Sequence, residues 1–372
     1  MKAKNFIDIL VEKDLLFLTG VPCSFLKNFL SSLGSEKTQL QHIIAASEGE
    51  AVGIATGYHL ATNKVPVIYL QNSGFGNAVN PLTSLMDKKV YSIPAILFLT
   101  WRGEPNTKDE PQHKKMGAIM LDLLKVLEIP YRFANKNLHE TAKSIIELKK
   151  TAIKEQKPVA LIFRDNLFEK QNLENSSNDS SLMKREYILS KLLPKIGNHP
   201  IIATTGKISR EIFELREMYK QSHKLDFLTV GSMGCASGIG FGIAIQTKNK
   251  VFVIDGDGAV LMKMGTLATI GYHANQAKLT HIIIDNSSHE TTGGQPTASS
   301  ILNWKQLLKS IGYKKVTIIK TEKQLMKLKF ENKIFPFGVV IYSKPGARTN
   351  LGRPTSTPIH NKKEFMKFLS TQ

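Results

Sequence analysis

The chain has 372 residues, 42% hydrophobic and 22% charged, enough for two domains with packed cores. No apolar run reaches membrane-spanning length, and the opening "MKAKNFIDILVEKDLLF" mixes acids with apolar residues and lacks a small-residue cleavage site, so no signal peptide is expected. The net charge of +19 invites a nucleic-acid reading, but only 8 of the 50 basic residues are Arg and the lysines are scattered, so a solvated lysine-rich surface is expected instead. Such a field would also speed the arrival of a multiply anionic small molecule. Two cysteines far apart in sequence, Cys23 and Cys235, fit a reducing cytoplasm better than a disulfide framework.

From the N-terminus, short apolar segments rich in β-formers alternate with segments of helical spacing. "LFLTGVP", "QHIIAAS", "VPVIYLQ", "PAILFLTW" and "PVALIFR" predict strands. "SFLKNFLSSL", "EGEAVGIATGYHLAT", "NAVNPLTSLM", "GAIMLDLLKVLEI" and "HETAKSIIELKKTAIK" predict helices. Strands this apolar need cover on both faces, so a parallel sheet flanked by helices is expected. Residues 169–184, "EKQNLENSSNDSSLMK", are polar and rich in Asn and Ser, which predicts an interdomain linker. The alternation then restarts, with strands such as "PIIATTG", "KVFVIDG", "THIIIDN" and "PFGVVIYS", and helices such as "REYILSKLLPKI" and "SREIFELREMY". The fold class is therefore α/β, with two doubly wound parallel-sheet domains at residues 1–168 and 185–372.

Two strand ends in the second half carry chemistry. One closes on Gly256-Asp257-Gly258, the other on Asp285-Asn286. Ligands of open parallel sheets bind at such C-terminal ends. The glycines let a diphosphate approach the backbone, and Asp257 and Asn286 offer hard oxygen ligands suited to Mg²⁺ or Ca²⁺. No Cys/His cluster suggests zinc. A bare Gly-Asp-Gly is often a turn; the second strand end and the helix between them give it weight. "GIGFG" lies inside a helix pattern, which excludes a dinucleotide fingerprint.

These residues resemble the thiamine diphosphate-dependent decarboxylases, whose diphosphate motif runs from Gly-Asp-Gly to a distal Asn. Here 26 residues separate Gly258 from Asp285, and Asp285-Asn286 stands where the family usually has Asn-Asn. The resemblance implies that Asp257, Asn286 and the carbonyl of Ser288 bind the metal. Gly256, Asp257, Gly258 and Asn286 would hold the diphosphate. It also implies a glutamate at a helix start in the other domain, and Gly57-Tyr58 downstream selects Glu48 over Glu50. That carboxyl would exchange a proton with the aminopyrimidine ring of the cofactor, work that suits a partly buried acid of raised pKa. On the residues alone, Glu48 reads as a charge at a helix N-terminus with Ser47 as cap. "TVGSMGCASGIGFG" resembles the region that bends the cofactor, with Met233 as wedge and the Gly231 carbonyl as acceptor. "LQNSGFGNAVNPL" resembles the polar loop near the thiazolium, which makes Asn72 and Ser73 cofactor-binding candidates.

The middle domain of the larger relatives is missing. "GVPCSFLKNFL", "WRGEPNTKDEPQH", "GGQPT" and "GARTNLGRPTSTP" resemble the phosphonopyruvate decarboxylase branch, with sulfopyruvate decarboxylase as close kin. That branch implies decarboxylation of 3-phosphonopyruvate to phosphonoacetaldehyde and CO₂ in phosphonate biosynthesis, with thiamine diphosphate and Mg²⁺ or another divalent cation. Sulfopyruvate or another 2-oxo acid is the alternative substrate; a non-catalytic protein keeping the cofactor fold is the alternative of another class. A phosphonate needs several donors, preferably Arg. Arg102 and Lys108 follow one strand end, Arg348 and Arg353 the last; each also fits an ordinary solvated loop. His113 is the candidate for proton transfer, because imidazole titrates near neutrality, with His289 second. The family's arrangement implies a homodimer or higher oligomer with the site at the subunit interface, and no nucleic-acid or membrane partner.

Overall fold

The computed structural model describes residues 1–35, 38–170, 181–274, 277–331 and 333–371. Residues 171–180, most of the expected linker, lie outside the described residues. The chain divides into two compact units, Met1–Glu174 with Thr292–Gln295, and Asn175–Thr291 with Pro296–Gln372.

The first unit holds β1 (Phe17–Gly20), β2 (Gln41–Ile44), β3 (Val67–Gln71), β4 (Ala95–Thr100), β5 (Tyr131–Phe133) and β6 (Pro158–Phe163). They form one parallel sheet in the order β2-β1-β3-β4-β6-β5. Every residue of β4 and β6 is buried, so both faces of the sheet need helices. Those are α1 (Ala3–Glu12), α2 (Lys27–Ser35), α3 (Glu48–Thr62), α4 (Phe75–Pro81), α5 (Pro111–Val126) and α6 (Leu138–Glu155). Two cores result. Phe6, Phe29, Phe98 and Phe163 share one; Ala51, Leu70, Leu97 and Met120 share the other. α1 is additional to the expected helices: Ala3, Phe6, Ile7 and Leu10 make a buried stripe at helical spacing. The fifth helix is expected from Gly117. The helix starts at Pro111, since proline suits the first helical position, and this moves His113 from the expected loop into a helical turn.

The second unit holds β7 (Met183–Lys184), β8 (Ile201–Ala203), β9 (Asp226–Leu228), β10 (Val251–Gly256), β11 (Leu279–Asp285) and the strands Lys315–Ile319 and Phe337–Lys344. From one edge the parallel order is Lys315–Ile319, Phe337–Lys344, β11, β10, β8, β9, with β7 pairing the end of Phe337–Lys344. Met183 and Lys184, expected to end the linker, thus belong to a sheet. The helices that frame the site are α7 (Arg185–Ile196), α8 (Lys207–Met218), α9 (Ala236–Ala244), α10 (Asp257–Met262) and α11 (Gly265–His273). Because α10 starts at Asp257, Gly-Asp-Gly is a strand-to-helix junction.

Each sheet has a point where the chain changes direction. β1 has β2 on one side and β3 on the other; β8 has β9 on one side and β10 on the other. Such switch points open a crevice at the C-terminal strand ends. Glu48 follows β2, Asn72 follows β3 and Asp257 follows β10.

Candidate active site

The stretch Ser47-Glu48-Gly49-Glu50 starts α3, and its two acids do different work. Ser47 Oγ accepts from the Glu50 N–H at 3.4 Å, and Glu50 Oε2 accepts from the Ala46 N–H at 2.9 Å, a reciprocal cap. Glu48 is left over from capping and is only 6% exposed. Asn77 Nδ2 on α4 donates to its Oε2 at 2.8 Å. A Cβ at position 74 would run into Glu48 Oε1, so the turn after β3 needs glycine there. The capping alternative therefore falls to Glu50, and Glu48 is held as a buried, oriented carboxyl.

Asn72, expected near the cofactor, bonds the neighbouring strand end. It is fully buried, its Nδ2 donates to the Arg102 carbonyl at 2.7 Å, and its Oδ1 accepts from the Arg102 N–H at 3.2 Å. One N–H and the oxygen of the amide thus clasp the β3 end to the β4 end. Ser73 is exposed and accepts from Gln71 Nε2 at 2.5 Å.

Arg102 is not a bare cation. Its Nε and NH2 donate to Asp109 at 2.8 and 2.5 Å, its NH1 donates to Ser24 Oγ at 3.0 Å, and the guanidinium lies 4.9 Å from the Phe25 ring centroid. Burial alone would raise the Asp109 carboxyl. Hydrogen bonds from Arg102 and from the Glu110 and Gly103 N–H groups outweigh it and hold Asp109 well below the usual range. A carboxyl depressed in the folded state stabilises above its unfolded pKa of about 3.9 and loses that contribution below it. Acid titration should therefore loosen the 101–110 loop only below about pH 4. Asp109→Asn should remove this acid dependence in amide-exchange measurements, and an unaltered profile would refute the assignment. Lys108 is exposed on the same loop. His113 is buried, on the first turn of α5. This helix packs on the Asn72–Gly74 turn.

In the second unit Asp257 is 3% exposed, and its carboxyl accepts from Thr297 Oγ1 at 2.5 Å and Ser299 Oγ at 3.2 Å. Burial, and then the charge of Asp285, push its pKa up to about 6, while those hydroxyls and the Asn286 N–H pull the other way. Ser299 Oγ bonds both Asp257 and Asp285, and the neighbouring charge disfavours ionisation of Asp257.

The departure from Asn-Asn has a physical reason. Asp285 Oδ1 accepts from the Ser287 N–H at 2.9 Å and from Ser299 Oγ at 2.8 Å, and its Oδ2 accepts from Trp304 Nε1 at 2.7 Å. An asparagine would set its NH₂ against a backbone N–H in one orientation and an indole N–H in the other. Asp285→Asn should cost roughly 1–3 kcal/mol of stability in urea unfolding without cofactor; no loss would mean the donors re-pair freely.

Asn286 Oδ1 accepts from the Ser288 N–H at 3.1 Å, and its Nδ2 donates to Glu290 Oε2 at 2.9 Å. Gly258, Met233 and His289 converge: a Cβ at 258 would lie 3.1 Å from His289 Cε1 and 3.3 Å from Met233 Cε. Burial lowers the His289 pKa to about 4, so at neutral pH it is an uncharged imidazole. Gly231 has φ 72°, and its N–H donates to Thr205 Oγ1 at 3.0 Å. Gly256 ends β10 beside the Ile208 side chain.

Arg348, a candidate for the phosphonate, is paired with two carboxylates. Its Nε donates to Glu186 Oε1 at 2.8 Å, and its NH2 pairs with Glu214. Its charge is thus met by two carboxylates, which tie the loop after the last strand to α7 and α8. Arg353 is exposed farther along that loop.

Among the described residues no group of three or more His, Cys, Asp or Glu could hold a metal ion. A cation at Asp257 would draw its other ligands from oxygens that are not acidic: the Asn286 amide, the Ser288 carbonyl and a diphosphate. The buried Asp257 carboxyl and the Asn286 amide oxygen are hard donors that fit that group. Sequence reasoning missed Gly74, Asn77, Thr297, Ser299, Trp304 and Glu290, whose partners lie up to 105 residues away. "LQNSGFGNAVNPL" contains Gly74 and Asn77 and "GGQPT" ends in Thr297, the two signals that pointed near them.

Two parallel α/β units, with a buried acid at a helix start in the first and Gly-Asp-Gly at a strand end in the second, define an enzyme of the thiamine pyrophosphate class. Residues 2–124 match the family described as thiamine pyrophosphate enzyme, N-terminal TPP binding domain, and residues 204–329 match the C-terminal TPP binding domain. A phosphonopyruvate decarboxylase of Streptomyces viridochromogenes is 32% identical over 95% of this chain and 91% of its own length. Its counterpart from Streptomyces hygroscopicus is 30% identical over 94% and 90%. The sulfopyruvate decarboxylase subunit beta of Methanocaldococcus jannaschii is 38% identical over 36% of this chain and 69% of its own. The chain belongs to the phosphonopyruvate decarboxylase family of thiamine pyrophosphate enzymes.

Proposed function

We propose that this protein decarboxylates 3-phosphonopyruvate to phosphonoacetaldehyde and CO₂, using thiamine diphosphate and a divalent cation, Mg²⁺ first. The observation that carries the reading is the end-to-end match to the Streptomyces viridochromogenes enzyme, 32% identical over 95% of the chain. Bound thiamine diphosphate supplies the electron sink for the pair left when CO₂ departs.

The chain's own residues do the rest. Glu48, oriented by Asn77, would be the acid that exchanges a proton with the cofactor's aminopyrimidine, and the Gly231 carbonyl would accept from its amino group. Met233 would support the bend. Asp257, the Asn286 oxygen and the Ser288 carbonyl would hold the cation, with Gly256 and Gly258 leaving room for the diphosphate. Lys108 and Arg353 are exposed cations for the phosphonate; Arg102 serves only if Asp109 yields. His113 is the proposed proton donor. The Asn72 amide also holds the Arg102 backbone, and Arg348 is paired with Glu186 and Glu214.

We also propose at least a homodimer. The family arrangement described above, with the site at the subunit interface, is what supports this reading. Sedimentation at micromolar protein should show no monomer. A cytoplasmic location is supported by two cysteines without a disulfide. No described helix is long and apolar enough to cross a membrane.

Sulfopyruvate is the second reading, favoured by the 38% identity to a sulfopyruvate decarboxylase subunit. Comparing kcat/KM for phosphonopyruvate, sulfopyruvate and pyruvate decides between them. Preference for phosphonopyruvate is expected. Preference for sulfopyruvate keeps the mechanism and overturns the substrate.

A further inference from the structure

Glu290 lies in a turn just past the Asn286–Ser288 loop. It belongs to four charged side chains that close on one another in the second unit. Arg185 begins α7, Lys207 begins α8, and Glu211 lies one turn farther along α8. Arg185 Nε and NH2 donate to the two Glu211 oxygens, both at 2.7 Å, and its NH1 donates to Glu290 Oε2 at 2.5 Å. Lys207 Nζ donates to Glu290 Oε1 at 2.7 Å. The side chains of Arg185, Glu211 and Glu290 are 5%, 1% and 11% exposed. Burying charges this deeply is tolerable only when each is paired and hydrogen-bonded, and the two cations and two anions balance. One contact remains that the ion pairs do not require: Asn286 Nδ2 donates to Glu290 Oε2.

A carboxylate only accepts, so the end of the Asn286 amide facing Glu290 must be the NH₂. The oxygen must then face the loop interior, where the Ser288 N–H meets it. Amide nitrogen and oxygen differ little in shape, and the terminal torsion of Asn is soft. A flipped amide would offer a cation two N–H groups in place of an oxygen.

We propose that Glu290, locked by Arg185 and Lys207, is a positioning residue that keeps the Asn286 amide oxygen turned toward the divalent cation. The proposal rests on the metal-site reading above, and it adds a residue that touches neither metal nor substrate. Residues that orient a metal ligand typically change affinity by about 10–100-fold when replaced.

The test is a double-mutant cycle read by calorimetry. The wild type, Glu290→Gln, Asn286→Ala and the pair are titrated with Mg²⁺ at fixed thiamine diphosphate. Glu290→Gln should raise half-saturation by about 10–100-fold, with kcat at saturating Mg²⁺ little changed. In the Asn286→Ala background the same change should add almost nothing, because no amide is left to orient. Additive losses, or unchanged half-saturation in Glu290→Gln, overturn the proposal. A wild type without Mg²⁺ dependence overturns the metal-site reading instead. If Glu290→Gln folds too poorly to titrate, Asn286→Asp/Glu290→Gln carries the test, since it keeps the charge and reverses the hydrogen bond. Half-saturation near the wild-type value supports the proposal; a loss as large as that of Asn286→Ala overturns it.

Discussion

Glu48→Gln is expected to lower kcat by roughly 10²–10⁴-fold, the usual worth of a positioned acid or base, while fold and cofactor affinity persist. The substitution keeps the shape of the side chain. Asn77 still finds an oxygen to donate to, and Gly74 still leaves room. The start of α3 is untouched, because its reciprocal cap uses Ser47 and Glu50. Only the exchangeable proton is lost. Steady-state turnover with calorimetric titration of thiamine diphosphate separates the two effects. Near-normal turnover would remove Glu48 from the chemistry; loss of folding would make it a structural acid.

Asp257→Ala is expected to act on the other side of that division. It should weaken Mg²⁺-dependent cofactor binding by at least about 100-fold, the upper end of what residues supporting a ligand contribute. Apo stability should move little. The folded protein raises the Asp257 pKa to about 6, so at pH 7 it holds an ionised carboxyl against its own preference. Removing that carboxyl relieves the strain, while Thr297 and Ser299 lose an acceptor. Thermal melts without cofactor and binding titrations with it distinguish a metal ligand from a framework acid. Unchanged cofactor affinity would contradict the metal site.

The strand ends were legible because apolar runs stop abruptly at Gly256-Asp257 and Asp285-Asn286, and a parallel sheet binds ligands at those ends. Glu48 was harder. It and Glu50 both sit in the first turn of α3, and local pattern cannot say which one caps; the resemblance through Gly57-Tyr58 made the choice. The same pattern hid what each cation does. Arg102 meets Asp109 within its own loop, whereas Arg348 meets Glu186 162 residues away. The resemblance places Asn72 near the cofactor, and only the fold shows its amide bonded to the Arg102 backbone. Glu290 carried no signal at all, since its meaning comes from Arg185, Lys207 and Asn286 converging on it. His113 was misplaced by a helix boundary, the least readable feature of a sequence.

The most direct test of the account is phosphonoacetaldehyde formation from phosphonopyruvate by the purified protein, with thiamine diphosphate and Mg²⁺ each supplied or withheld. The account predicts turnover only when both are present. Turnover that persists after both are removed, or none when both are supplied in excess, would contradict it.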